Sequence, residues 1–281
     1  MNRLNVRKTW KLYINGEFPR TESGRFYPVS SSKGELLANA CRGSRKDLRN
    51  AIVAARKAQS GWASRTAVNR GQILYRIAEV LESRAGELEE ELRRAGAGRS
   101  EARSEVEKSI DLWVYYAGWS DKFSQVLGAV NPVAGPYYNF TLPEPTGVVG
   151  VLAPETPSLL GLTARIAPAL VGGNTVVAVV SESRPLPGIT MGEIFATSDV
   201  PAGVVNLISG FRKELLSWLA AHMDVNAIDL SAVSGDELRD AEIAAAENVK
   251  RTIRGEAAPE GSLAAIADYL EMKTVWHPVG V

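Results

Sequence analysis

Thiols are nearly absent from this chain: Cys41 is the single cysteine among 281 residues. No intramolecular disulfide can form, and no cluster of thiolates can hold a metal. Histidine is almost as scarce, with only His222 and His277. A zinc site or a Ser-His-Asp triad would have to be built from those two, and isolated histidines are expected to be surface or satisfied groups. Excess charge is missing too, since 32 Lys+Arg balance 32 Asp+Glu. A neutral chain has no electrostatic reason to seek nucleic acid or an anionic membrane surface. The longest apolar runs, 147–154 and 175–180, fall far short of a bilayer. The opening residues, MNRLNVRKTWKLYING, hold no apolar core of signal-peptide length. The expectation is a cytoplasmic protein with neither nucleic-acid nor membrane partners.

What is present is a patterned α/β sequence. Residues 11–14 alternate polar and apolar, and Asn15-Gly16 is a type I′ hairpin signal before Glu17-Phe18. Ser44 can cap a helix carrying Leu48, Ile52 and Val53, and a second helix runs from about Ala67 through Ile73 and Ile77. Residues 87–94 read as a charged, solvated continuation, and 101–117 as a further helix with Val106, Ile110 and Trp113 on one face. Residues 128–145, with Asn131-Pro132, Gly135-Pro136 and Pro143, read as an extended hairpin. From Gly147 the character changes. A continuous apolar run, as in a parallel strand covered on both faces, is followed by a helical pattern at 159–171 closed by Gly172-Gly173. Strands at 175–180, 204–208, 227–230 and 249–254 then alternate with helices at 187–197, 213–222 and 236–248. Short connections in such an order imply a parallel sheet wrapped by right-handed crossovers, which binds ligands at the carboxyl ends of its strands. The final segment reads as a loop, a short helix over 263–272 and an extended end at 274–281.

These words, in this order, resemble the aldehyde dehydrogenase superfamily. The likeness rests on Tyr13-Ile-Asn-Gly16, Val53-Ala-Ala-Arg56, Tyr116-Ala-Gly-Trp119, Ile166-Ala-Pro-Ala-Leu170, Gly173-Asn-Thr-Val-Val177, Ser181-Glu182 and Gly203-Val-Val-Asn206. The closer likeness is to the degenerate second module of the two-module (sixteenth) aldehyde dehydrogenase family, including the ending Lys273-Thr-Val-Trp-His-Pro-Val-Gly280. The resemblance implies a Rossmann-like parallel sheet of the nucleotide-binding domain, an N-terminal helical and hairpin region, and no catalytic domain. It divides the chain into 1–146 (strand pair, helices, oligomerisation-type hairpin), 147–255 (nucleotide-binding-type region) and 256–281 (tail).

The resemblance also implies roles that can be checked residue by residue. In the family a cysteine thiolate attacks the aldehyde and hydride passes to NAD or NADP, so the nucleophile needs a usable thiol beside an oxyanion donor. Here the one thiol, Cys41, falls in the strand-like segment 36–41 with no general base around it, and is expected to act as a small buried hydrophobe. The Pro-Trp-Asn loop of the family reads Pro154-Glu155-Thr156, placing a negative charge where an oxyanion would develop. The Lys-Pro-Ser-Glu pattern reads Val179-Val180-Ser181-Glu182, which loses the ribose lysine but keeps Glu182. The Thr-Gly-Ser turn against the pyrophosphate reads Ser231-Ala232-Val233. Glu256 matches the general-base position only if the alignment slips by one residue.

No catalytic residue is therefore assigned, and Glu182, Ser181 and Ser231 are the remaining candidates for a degenerate cofactor site, with NAD or NADP as the cofactor if there is one. The expectation is a non-catalytic subunit, a pseudoenzyme, whose partner is a full-length aldehyde dehydrogenase or a second copy of itself. Two other readings stay open: a divergent NAD(P)-dependent aldehyde oxidoreductase and a nucleotide-binding regulatory module.

Overall fold

A computed structural model describes residues 8–255 and 261–280. An N-terminal hairpin of β1 (Phe26–Ser30) and β2 (Leu36–Cys41) leads into four helices, α1 (Arg45–Ala63), α2 (Ala67–Ser83), α3 (Ala85–Arg94) and α4 (Arg99–Trp119). Their starts follow the local chemistry. Ser44 and Asp47 form a reciprocal capping box on α1, and the Thr66 side chain accepts the Asn69 N–H on α2. The stretch read as a solvated continuation is instead a separate helix, α3, which buries Leu88, Glu91 and Leu92. Its charged residues hid a three-to-four spacing that puts those side chains on one face.

A short helix, α5 (Phe123–Leu127), precedes β3 (Ala129–Asn131) and β4 (Tyr137–Pro145), the expected hairpin. The alternating region then follows as β5 (Val148–Leu152), α6 (Ser158–Val171), β6 (Thr175–Val179), α7 (Pro185–Ala196), β7 (Val205–Ile208), α8 (Arg212–Ala221), β8 (Ala227–Asp229), α9 (Gly235–Ala246) and β9 (Arg251–Ile253). All five strands are parallel, in the order β7-β6-β5-β8-β9, so the winding reverses at the β5/β8 boundary. β5, β6, β7 and β8 are buried at every position, which explains their unbroken apolar runs. The last strand starts later than its sequence pattern because Val249, at φ 54°, closes the turn after α9. At the other edge Tyr13 exchanges two backbone hydrogen bonds with Leu207, so the N-terminal segment covers β7. Asn15 and Gly16, at φ 56° and 76°, make the expected type I′ turn.

The chain ends differently from its sequence pattern. The helix spans only α10 (Leu263–Ala267), and β10 (Leu270–Pro278) runs antiparallel to β4 along its whole length. Tertiary anchors decide this. The Tyr269 carbonyl accepts hydrogen bonds from Asn174 Nδ2 (2.9 Å) and Thr146 Oγ1 (2.8 Å), which turns the backbone onto β4. Gly172 packs so closely on Leu270 that a β-carbon there would stand 2.6 Å from its Cδ2. A three-stranded sheet, β10-β4-β3, results. Only residues 254–262 separate β9 from α10, far too few for an inserted domain. Among the described residues no helix is long and apolar enough to cross a membrane.

Candidate functional site

The sheet order places the ligand crevice outside the carboxyl ends of β5 and β8, where the winding reverses. What lies there is a guanidinium. Arg212, the first residue of α8, donates from Nη2 to the Ala153 carbonyl (2.9 Å), just past β5, and from Nη1 to the Ala232 carbonyl (2.8 Å), just past β8. Its Nη2 also stands 3.6 Å from Glu155 Oε1. One side chain thus ties the two lips of the crevice together. A cation at the first position of a helix sits on the unfavourable end of its dipole. That oddity is the sequence signal that marks Arg212, a residue outside the motifs above.

Glu155 is the second member of the cluster. Its carboxylate accepts the Glu182 N–H (3.1 Å), the Ser183 N–H (2.8 Å), the Ser183 hydroxyl and the Ser181 hydroxyl (2.9 Å). Burial pushes this carboxyl up, but the hydrogen bonds from Ser183, Glu182 and Ser181 outweigh it and hold it below the ordinary value. The expected cofactor residues are therefore engaged within the chain. Ser181 is buried, donating to Glu155 and accepting the Arg184 N–H. Glu182 accepts the Arg212 N–H at 3.0 Å and so caps α8. The third, Ser231, belongs to a neighbouring network. It donates to Asp229, accepts from Arg165 Nε (3.0 Å), and shares Asp229 with the Tyr269 hydroxyl. Burial and then the Asp229 charge keep the Tyr269 phenol well above its usual value.

Helix N-termini, the usual anion sites of such sheets, carry negative side chains here as well. The α6 terminus is capped by Glu105, whose Oε1 accepts the Leu159 N–H (2.7 Å) and the Leu160 N–H (3.3 Å). The α9 terminus carries Asp236 and Glu237 in its first turn. Beside Glu155 a groove of about 620 Å³ is lined by Tyr27, Phe211, Arg212 and Lys213 together with Glu155, Glu182 and Glu237. That lining sets three carboxylates against two cations, Arg212 and Lys213.

Cys41 is elsewhere. It is buried at the end of β2, its N–H bonded to the Trp10 carbonyl and its carbonyl accepting the Ser209 hydroxyl. Glu256 lies outside the described residues.

Residues 18–254 match the model of the aldehyde dehydrogenase family. The chain belongs to the aldehyde dehydrogenase family. It is 35% identical over 224 residues to aldehyde dehydrogenase family 2 member B4, mitochondrial, of Arabidopsis thaliana, covering 78% of this chain and 41% of that relative. It is 33% identical over 246 residues to the mitochondrial benzaldehyde dehydrogenase of Antirrhinum majus, covering 85% of this chain and 45% of the relative. An aldehyde dehydrogenase from Bacillus cereus, solved as a complex with NAD+, superposes with a TM-score of 0.81 at 28% identity, over 87% of this chain and 50% of that one. The chain thus spans about half the length of the curated relatives it matches. In this family member the crevice at the carboxyl ends of β5 and β8 is bridged by Arg212.

Proposed function

We propose that this chain is a non-catalytic aldehyde dehydrogenase-like subunit that associates with a full-length aldehyde dehydrogenase or with a second copy of itself. The observation that carries this reading is the Arg212 bridge between the Ala153 and Ala232 carbonyls, with Glu155 beside it. A pyrophosphate entering the crevice would have to break these bonds and lie against Glu155, Glu182 and Glu237. The position of the only thiol supports the same reading, since Cys41 is buried at the end of β2 and not at the crevice.

Association is proposed through the three-stranded sheet. Tyr138, Phe140 and Leu142 alternate along β4 and so share a face, joined by Val130, which pairs with Phe140. Val130 is 61% exposed and Tyr138 48% exposed. Apolar side chains side by side on an open face, with β3 and β10 as free edges, fit strand addition or face packing by a second chain.

Calorimetric titration with NAD and NADP, together with co-purification against a full-length aldehyde dehydrogenase, tests the proposal. The expected result is no saturable dinucleotide binding and a stable complex. Low-micromolar dinucleotide affinity would favour the regulatory nucleotide module, for which the groove beside Glu182 is the supporting feature. A monomer that forms no complex would overturn the subunit reading.

A further inference from the structure

Away from the crevice, a second concavity of about 420 Å³ lies where the N-terminal segment meets the β1–β2 hairpin. Its lining brings Lys8, Arg20 and Arg25 together with the rings of Trp10 and Phe26 and the side chain of Asn39. No carboxylate is among the described residues that line it. The acids in its surroundings are committed to other partners. Asp47 accepts from Thr21, from the Glu22 N–H and from Ser44. Glu214 holds Arg42 by both oxygens, with Arg25 adding a weaker pull on the same carboxylate. Glu193 pairs with Lys8 and Arg84. Neither Arg20 nor Arg25 has an ion-pair partner among the described residues, in contrast to Lys8 and Arg42.

The hairpin register sets the geometry of the wall. Phe26 and Cys41 are direct cross-strand partners, and Asn39 stands two residues from Cys41, so all three project from one face. Phe26 keeps 64% of its surface exposed on that face. Trp10 is tied to the same strand by its carbonyl, which accepts the Cys41 N–H at 3.2 Å. Two guanidiniums without ion-pair partners among the described residues therefore line the same concavity as the exposed Phe26 ring, in a volume suited to a small molecule.

A guanidinium fork matches a planar carboxylate with two parallel hydrogen bonds, and an exposed ring gains by being covered. We infer that this groove binds a small aromatic carboxylate, its charge held by Arg20 and Arg25 and its ring packed on Phe26. This site is separate from the crevice and does not depend on the subunit reading. A free phosphate shares the anionic chemistry but would leave Phe26 uncovered, so the two ligands can be told apart.

The test titrates the full chain with benzoate and, in parallel, with inorganic phosphate, by calorimetry. The rate at which a small disulfide reagent modifies Cys41, the only thiol, is followed in the same solutions. Benzoate is expected to bind with a Kd of about 1 mM or tighter and to slow Cys41 modification several-fold. Arg20→Ala and Arg25→Ala should each weaken benzoate about tenfold, and Phe26→Ala should weaken benzoate without changing phosphate. All three side chains are exposed, so circular dichroism should be unchanged. The inference is overturned if benzoate shows no saturable binding. It is equally overturned if the Arg20→Ala, Arg25→Ala double variant binds it as the wild type does, or if phosphate binds as tightly as benzoate.

Discussion

Glu105 and Leu159 are 54 positions apart in sequence, yet the Glu105 Oε1 accepts the Leu159 N–H at 2.7 Å. Through that bond α4 supplies the negative charge at the start of α6, where a Rossmann-like sheet would otherwise present open N–H groups to an anion. Burial raises the Glu105 carboxyl, and the two backbone N–H donors offset part of that rise. Glu105→Gln keeps one acceptor but loses the charge, and Glu105→Ala loses both. The alanine variant should lower unfolding stability by about 1–3 kcal/mol and the glutamine variant by less. Urea denaturation monitored by circular dichroism checks this, and an unchanged midpoint in Glu105→Ala would show that the cap contributes nothing.

Glu91 should give the protein a pH-dependent stability. It is buried between α3 and α7, where the Thr190 hydroxyl shares its hydrogen between the two carboxylate oxygens, at 2.9 and 3.1 Å. Burial, with Glu87 adding to it, pushes its pKa up from 4.5 to about 7, against the pull of Thr190, Lys8 and Arg84. The folded state therefore holds this proton more tightly than the unfolded chain does. The contribution is fully present below pH 4.5 and is lost as pH rises to about 7. The loss should be about 3 kcal/mol. Glu91→Gln should remove it, so the difference between variant and wild type should grow across that window and then level. A constant difference would contradict the assignment.

Removing the bridge across the crevice should be felt in both stability and binding. Arg212→Ala leaves the Ala153 and Ala232 carbonyls without this donor, and should cost about 1–3 kcal/mol. Combining it with Glu155→Gln takes away the obstructing guanidinium and the adjacent negative charge together. The double variant should show the saturable NAD binding that the wild type is expected to lack. If calorimetry shows no gain, Arg212 is not what closes the crevice.

Assembly, if it uses the three-stranded sheet, should be sensitive to charge on its apolar face. Tyr138→Asp and Phe140→Lys should each dissociate the oligomer or complex in light scattering while circular dichroism stays native. A sheet face that buries on the order of 1,000 Å² does not tolerate an unpaired charge. Unaltered assembly in both variants would move the interface elsewhere.

Aldehyde oxidation by the isolated chain should be undetectable with short-chain and aromatic aldehydes and either dinucleotide. Cys41 has no general base among its hydrogen-bonded neighbours, which are the Trp10 carbonyl and the Ser209 hydroxyl. Turnover that disappears in Cys41→Ala would show that this thiol does react.

The sequence by itself determined most of the parallel sheet. Runs such as Val148–Leu152 and Thr175–Val179 are apolar throughout because both their faces are covered, and burial of that kind is written into every residue of the strand. The helix start at Ser44 was equally legible, because capping is settled by residues three positions apart. What tertiary structure alone decided is which distant residues meet. Arg212 reaches two strand ends, Glu105 reaches α6, and Tyr269 turns the chain so that residues 270–278 become β10 and not the end of a helix. Each of these is a contact between residues far apart in the chain, fixed by hydrogen-bond satisfaction in a packed interior, and no local spacing encodes such a partner.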